Sequence, residues 1–350
     1  MESFLKEIVK DIGGEYAQLA SEINETERYV DTGSYIFNAL VSGSIFGGVS
    51  GNKITAISGA SSTGKTFFAL AVIKNFLEQN PEGYCLYFDT EAAITKSLLQ
   101  SRGLDISRIV VINVVTVEEF RTKALKAVDL YMKKPKGERR PCFFVLDSLG
   151  MLSTNKEIGD ALAEKEVRDM TKASLIKGAF RMLTLKLGQA EIPMIVTNHV
   201  YANVGGYGAP TVQSGGSGLL YSSSTIIELS KSKEKDGTDV IGNVIKAKTY
   251  KSRLSKENQE VSIRLYYDER GLDRYYGLLE LGELGGLWKN IAGRYEIDGK
   301  KIFAKQILKE PELYFTEEVM KKLDAIAKKE FSYGNGGLPI VNTEELNGED

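Results

Sequence analysis

Gly59-Ala60-Ser61-Ser62-Thr63-Gly64-Lys65-Thr66 decides how the rest of the chain is read. These residues fit the pattern Gly-x-x-x-x-Gly-Lys-Ser/Thr in full, after a short apolar run at 54–58 and before a helical stretch reaching about residue 78. Glycines let consecutive backbone N–H groups turn inward around a phosphate, and the following helix adds its positive end. In such a loop Lys65 reaches the β- and γ-phosphates of a nucleotide and Thr66 offers its hydroxyl to Mg²⁺. ATP with Mg²⁺ is therefore the expected ligand.

Working outward, further apolar runs at 84–89, 109–113, 142–147 and 194–198 alternate with helix-length segments. Near-continuous apolar strands alternating with helices predict an α/β fold with a mainly parallel central sheet covered on both faces. After about residue 223 strands follow one another directly, at 225–229, 242–250 and 260–267, which predicts antiparallel additions. Upstream, Phe4, Leu5, Ile8, Val9 and Ile12 and then Tyr16, Leu19, Ala20 and Ile23 recur at helical spacing, interrupted at Gly13-Gly14. One or two amphipathic helices are expected there, followed by a polar linker at 24–31. Residues 270–333 are mixed and end in a helical stretch at 316–329, as in a small subdomain. From Gly334 onward there are four acidic side chains and no Lys or Arg, which predicts a disordered acidic tail. The expected organisation is an N-terminal helical element at 1–24, a core at 25–268, a C-terminal α+β subdomain at 269–333 and a tail at 334–350.

Bulk properties narrow the function. A chain of 350 residues suits a large α/β domain with smaller appendages. A formal net charge of −2 closes the route to nucleic acid through a globally basic surface, so any such binding must be local or shared between copies. No run approaches the roughly 20 apolar residues of a membrane helix, and Met1–Lys10 lacks a signal-peptide pattern. Cys85 and Cys142 each lie in an apolar strand-like run, consistent with buried reduced thiols and a cytoplasmic protein with no membrane partner.

Three strand ends carry candidate chemistry. Cys142-Phe-Phe-Val-Leu-Asp147 is an apolar strand ending in a carboxylate, placing Asp147 to hold Mg²⁺ with Thr66. Tyr84-Cys-Leu-Tyr-Phe-Asp89-Thr-Glu91 sets Glu91 two residues beyond a strand end, where an acceptor can orient a water toward the γ-phosphate. A solvated loop acid is the plainer alternative, and Asp89 is read as structural. The third, Met194-Ile-Val-Thr-Asn198-His199, ends in the chain's single histidine, either a γ-phosphate sensor or a satisfied loop residue.

The order of these pieces resembles the RecA-type strand-exchange recombinases, and among them the phage UvsX recombinase family. The shared pieces are Thr32-Gly-Ser, the run Gly47–Thr66, Phe88-Asp-Thr-Glu91, Asp147-Ser-Leu-Gly, Glu164-Lys-Glu, Thr197-Asn-His199, Gly215-Gly-Ser-Gly218 and Lys251-Ser-Arg253, spanning about residues 2–330. The resemblance implies a RecA-like P-loop ATPase core, an N-terminal oligomerisation element and a small C-terminal subdomain. It implies that Glu91 is the catalytic carboxylate and that His199 contacts the γ-phosphate where RecA proteins carry Gln. Lys251 and Arg253 resemble the basic pair that reaches the ATP of a neighbouring subunit; by spacing alone they are two exposed strand cations on one face. Leu98 stands where the family has a Tyr stacked on adenine, so here an aliphatic side chain would cover the base.

By the same resemblance, two loops bind DNA. Loop one, about 152–166, contains Lys156 and Lys165. Loop two, about 200–216, carries Tyr201, Asn203, Tyr207, Gln213, Gly215 and Gly216, and a helix between the loops offers Lys172, Lys177 and Arg181. Tyrosines can stack on bases. Residues 151–181 hold six basic and five acidic residues, so one copy presents a mixed solvated face, and a helical filament repeating Arg181 and both loops would build the groove. The implied function is an ATP-dependent DNA recombinase acting on single- and double-stranded DNA, with a single-strand-binding protein and a mediator as partners. A hexameric RecA-fold helicase and an ATP-binding recombination mediator are the alternatives.

Overall fold

A computed structural model describes residues 2–12, 17, 19–22, 28–165, 169–202, 211–236, 239–297 and 299–334. It opens with α1 (Glu2–Ile12), the short strand β1 (Tyr29–Val30), α2 (Tyr35–Ser42) and β2 (Val49–Ser50). The stretch expected as a linker thus ends in a strand, because Tyr29 and Val30 pair antiparallel with Ser50 and Val49. Asp31 fixes the next turn: one carboxylate oxygen accepts from the Gly33 N–H and the Asn38 amide, and the other accepts from Arg274 at 2.5 Å.

Strands and helices then alternate through β3 (Ile54–Gly59), α3 (Lys65–Gln79), β4 (Tyr84–Asp89), α4 (Lys96–Ser101), β5 (Ile109–Asn113), α5 (Val117–Met132) and β6 (Cys142–Asp147). Next come α6 (Asn155–Leu162), α7 (Lys172–Ala190), β7 (Met194–Ala202), β8 (Thr211–Gln213) and α8 (Ser217–Ser222). A meander of β9 (Thr225–Asp236), β10 (Asp239–Ser252) and β11 (Glu260–Tyr266) follows. The C-terminal elements are α9 (Leu278–Leu284), β12 (Lys289–Ile291), β13 (Arg294–Ile297), β14 (Lys300–Phe303), α10 (Ala304–Ile307) and α11 (Glu317–Phe331).

The main sheet has the order β11-β10-β9-β3-β7-β6-β4-β5, with β8 paired to β7. From β9 to β5 the neighbours run parallel, and β10 and β11 add antiparallel. Side chains alternate between the two faces of each strand. Ile57, Cys85, Tyr87, Phe143, Val145 and Ile195 join the core under α2 and α3, while Ala56, Phe88, Phe144, Leu146 and Val196 join the core under α5 and α7. Both faces are closed, so the strands read as unbroken apolar runs, and each fully buried Phe or Ile contributes roughly 1.5–3 kcal/mol. In the edge strand β5, by contrast, Val110 and Val111 are exposed.

The C-terminal elements share the α2–α3 core. The Trp288 indole N–H donates to the Leu279 carbonyl at 2.7 Å, and Tyr275 stacks on Phe315 at 5.3 Å. Asp324 on α11 accepts from the Ile45 N–H at 3.0 Å, tying α11 to the turn after α2. Cys85 and Cys142 are free and buried, and burial pushes the Cys142 thiol up to about 12. Among the described residues no helix is long and apolar enough to cross a membrane. Residues 335–350 of the expected tail lie outside the described residues.

Candidate nucleotide site

Strand parity assembles this site. Asp147 follows Val145 by two residues on β6, so it faces α3, whose first turn carries Lys65 and Thr66. The Thr66 hydroxyl donates to Asp147 Oδ2 at 2.7 Å. Its oxygen lone pairs remain available beside a carboxylate, a donor set suited to a hard cation such as Mg²⁺. Among the described residues there is no cluster of His, Cys, Asp and Glu that would hold a metal without nucleotide oxygens.

Gly59, where β3 enters the loop, admits no side chain. An added Cβ would stand 2.7 Å from Thr63 Oγ1 and 2.8 Å from the Leu229 carbonyl oxygen. Gly64 caps α3 with a φ of 90°. Lys65 is buried, and its ammonium donates to the Gly59 and Ala60 carbonyls at 3.0 and 2.9 Å. Burial lowers its pKa, opposed by the nearby Asp147 and Glu91 carboxylates. The 59–66 loop therefore holds one compact cation beside two carboxylates, poised for phosphate.

Glu91 leaves the end of β4 through a turn that Asp89 builds, accepting from the Glu91 and Ile94 N–H groups at 3.0 and 3.1 Å. Glu91 Oε1 accepts from the Ser148 hydroxyl at 2.9 Å and lies 3.5 Å from His199 Nε2. His199 pairs in register with Gly59, and β7 continues past it to Ala202 rather than ending there, so the histidine lies within the strand directly beside the loop. Its carbonyl accepts from the Ser214 N–H at 2.9 Å, and the Asn198 amide donates to the Ser214 carbonyl at 2.9 Å. Lys65, Thr66, Glu91, Asp147 and His199 thus converge at the carboxyl ends of β3, β4, β6 and β7, the ligand crevice of an open parallel sheet.

Two side chains that sequence reasoning passed over complete the surroundings of Asp147. The Tyr87 hydroxyl donates to Oδ2 at 2.6 Å, and the Thr197 hydroxyl donates to Oδ1. Tyr87 is fully buried, and burial together with Asp147 pushes its phenol far up, so it stays a proton donor. Tyr87 precedes Asp89 by two positions and Thr197 precedes His199 by two, and on neighbouring strands both side chains reach Asp147. Ser148, quoted only as part of a motif, proves to be the partner of Glu91. Leu98 lies half-buried on α4, whose end carries Arg102 with its guanidinium 4.0 Å over the Phe67 ring.

The expected loops differ in form. Most of loop one is helix α6, started by Thr154 Oγ1 accepting from the Glu157 N–H at 2.9 Å. Lys156 on it pairs with Asp160, and Lys165 is exposed. Loop two begins and ends as the β7–β8 hairpin, with Val200 opposite Gln213 and Tyr201 exposed. Gly215 and Gly216 follow with positive φ, and Asn203 and Tyr207 lie outside the described residues.

Lys251 and Arg253 do not share a face of one strand. β10 bulges between Thr249 and Lys251 and ends at Ser252. Both instead turn to the end of α8, Lys251 donating to the Leu220 and Ser223 carbonyls and Arg253 to the Tyr221 carbonyl at 3.4 Å. The Arg253 N–H donates to Ser224, whose own N–H donates to Ile54 at the start of β3. Arg253 lines a cleft of about 530 Å³ with Lys53, Thr184, Ser222 and Arg181, so Arg181 sits at this end of the sheet.

Residues 1–273 match the family model described as the RecA N-terminal domain. The chain belongs to the RecA family. It is 34% identical over 277 residues to the "Recombination and repair protein" of Enterobacteria phage T4, covering 79% of this chain and 69% of that protein. It is 27% identical over 333 residues to "Protein RecA" of Thermus aquaticus, covering 92% and 93% of the two chains. Against "Protein RecA" of Clavibacter michiganensis the identity is 26% over 322 residues, covering 89% and 84%. The RecA family match ends close to the point where α9 begins, so the C-terminal elements lie beyond it.

Proposed function

We propose that this RecA family member is an ATP-dependent DNA recombinase, which forms a helical filament on single-stranded DNA and exchanges strands with a homologous duplex. The observation that carries the reading is the separation of Arg253 from the phosphate loop of its own chain. Arg253 sits beside Ile54, and β3 runs from Ile54 to Gly59, about 16 Å at strand rise. If such a cation acts on a nucleotide phosphate, that nucleotide belongs to another copy. Head-to-tail repetition of one interface builds a filament or a ring, and in either the site is completed by assembly.

In this reading Lys65 and the loop 59–66 hold the phosphates, Thr66 and Asp147 hold Mg²⁺, and Glu91 orients the attacking water. The metal offsets charge on the transferring phosphoryl group. Glu91 keeps its carboxylate aimed by the Ser148 hydroxyl, and His199 reads the γ-phosphate. Lys251 and Arg253 act on the next copy. Leu98 covers the base. DNA lies along Lys156, Lys165, Tyr201, Asn203, Tyr207, Gln213, Gly215 and Gly216 repeated along the filament, and Arg181, set at the Ile54 end of the sheet, would join that groove only from a different copy.

α1 supports the assembly: Phe4 and Ile12 are 63% and 76% exposed on an amphipathic helix, and a second copy would cover them. We assign 1–24 to oligomerisation, 25–268 to the core, 269–333 to a C-terminal subdomain and 334–350 to an acidic tail. The partners are single- and double-stranded DNA, a single-strand-binding protein and a mediator, in the cytoplasm of a host cell. ATP turnover with and without single-stranded DNA, combined with electron microscopy, tests the whole. DNA-stimulated turnover with helical filaments is expected. Closed rings would indicate a helicase, and absent turnover a mediator.

A further inference from the structure

We infer that Tyr87 is a positioning residue for Mg²⁺, holding the Asp147 carboxylate in the orientation that receives the ion. This rests on the reading of Thr66 and Asp147 as the metal-holding pair. Asp147 is 6% exposed and sits at the end of β6 between two strands, β4 and β7. Each neighbour sends one hydroxyl to it: Tyr87 from β4 to Oδ2, and Thr197 from β7 to Oδ1. Thr66 from α3 adds a third donor, also to Oδ2. A carboxylate can rotate about its Cβ–Cγ bond, and donors on both oxygens from opposite sides lock that rotation.

The core does not require the Tyr87 hydroxyl. Its ring packs among apolar neighbours of the α3-side core, where Phe would fill the same space. A hydroxyl at 0% exposure is costly unless it is hydrogen-bonded, and its partner here is Asp147 at 2.6 Å. Groups that orient a metal ligand without touching the metal characteristically shift metal affinity by about 10- to 100-fold when removed. Thr66 differs from the other two, since its oxygen would itself hold the metal. Tyr87 and Thr197 act only through Asp147.

The test is Tyr87→Phe, which removes one oxygen and keeps the ring. Binding of a fluorescent ADP analogue is titrated with Mg²⁺, and again in EDTA. The expected result is a half-saturating Mg²⁺ concentration raised about tenfold, with nucleotide affinity in EDTA unchanged. Thr197→Val should produce a similar rise and Thr197→Ser should restore the wild-type value. Thermal melting separates positioning from mere packing: Tyr87→Phe should lose part of the stabilisation that Mg²⁺·ADP adds, while melting in EDTA as the wild type does. An unchanged Mg²⁺ midpoint, or equal losses of melting temperature with and without Mg²⁺·ADP, overturns the inference. Wild-type protein that binds nucleotide identically with and without Mg²⁺ would overturn the metal reading and the inference together.

Discussion

Glu91 illustrates how one residue can be legible in place and hidden in context. Its place two residues after a strand-end acid marked it as the water-orienting group, and Asp89 does build the turn that delivers it. Its hydrogen-bond partner Ser148 could not be foreseen, because nothing local says that β4 and β6 are neighbours. Tyr87 was hidden for the same reason. A Tyr inside an apolar strand is indistinguishable from core packing until the register sets it opposite Val145, two residues before Asp147. At this scale Glu91→Gln should keep nucleotide binding within about twofold and slow turnover by about 10²-fold or more, typical of losing a positioned base. Single-turnover hydrolysis measured beside equilibrium nucleotide binding checks it, and turnover at the wild-type rate would hand the water to another group. Lys65→Ala should weaken both, since the phosphates then lose their buried counter-charge.

Elements were read best where both faces are buried. The runs 84–89 and 142–147 match β4 and β6 end to end, because unbroken apolar sequence is the signature of a doubly covered strand, and 109–113 matches β5 although Val110 and Val111 are exposed at the sheet edge. α6 was read as loop because its apolar residues face outward: Ile158 and Leu162 are exposed, so no amphipathic stripe points at the core. The signal that could have found it was Thr154 three residues before Glu157, a capping pattern at a helix start. β7 is the element with the widest consequence. One end of it lies beside Gly59 and its continuation forms the hairpin with β8, with the His199 carbonyl bonded to Ser214 between them. If His199 contacts the γ-phosphate, a pull on its ring would act on the backbone that closes the hairpin. His199→Ala should bind single-stranded DNA about equally with and without a non-hydrolysable ATP analogue, as read by fluorescence anisotropy. ATP tightening of the wild-type size in this variant would mean that the coupling runs outside β7.

For the whole molecule, the question is whether one copy contains a complete site. Lys251 and Arg253 are read from the family as acting between copies, and the geometry makes this unavoidable if they act on phosphate at all, given the length of β3 between them and Gly59. Their present partners set a control. Lys251 is half-buried against the Leu220 and Ser223 carbonyls, and burial, with Arg253 nearby, lowers its pKa. Removing it leaves those carbonyls without a donor and costs about 1 kcal/mol of stability whatever its role. Arg253 is exposed and its one long contact is easily replaced by water, so Arg253→Ala is the cleaner variant. Arg253→Ala, like the double variant with Lys251→Ala, should bind ATP normally as a monomer and hydrolyse it poorly with DNA present. Each variant is then mixed in equal amounts with Glu91→Gln protein. A filament site drawn from the Arg253→Ala copy has an intact Glu91, and the copy beside it brings intact cations in roughly one interface in four. Turnover in the mixture should therefore rise well above either parent while remaining below wild type. A mixture as inactive as its parents, in filaments shown by a fluorescent label on each variant to contain both, would return Lys251 and Arg253 to a structural role at the end of α8.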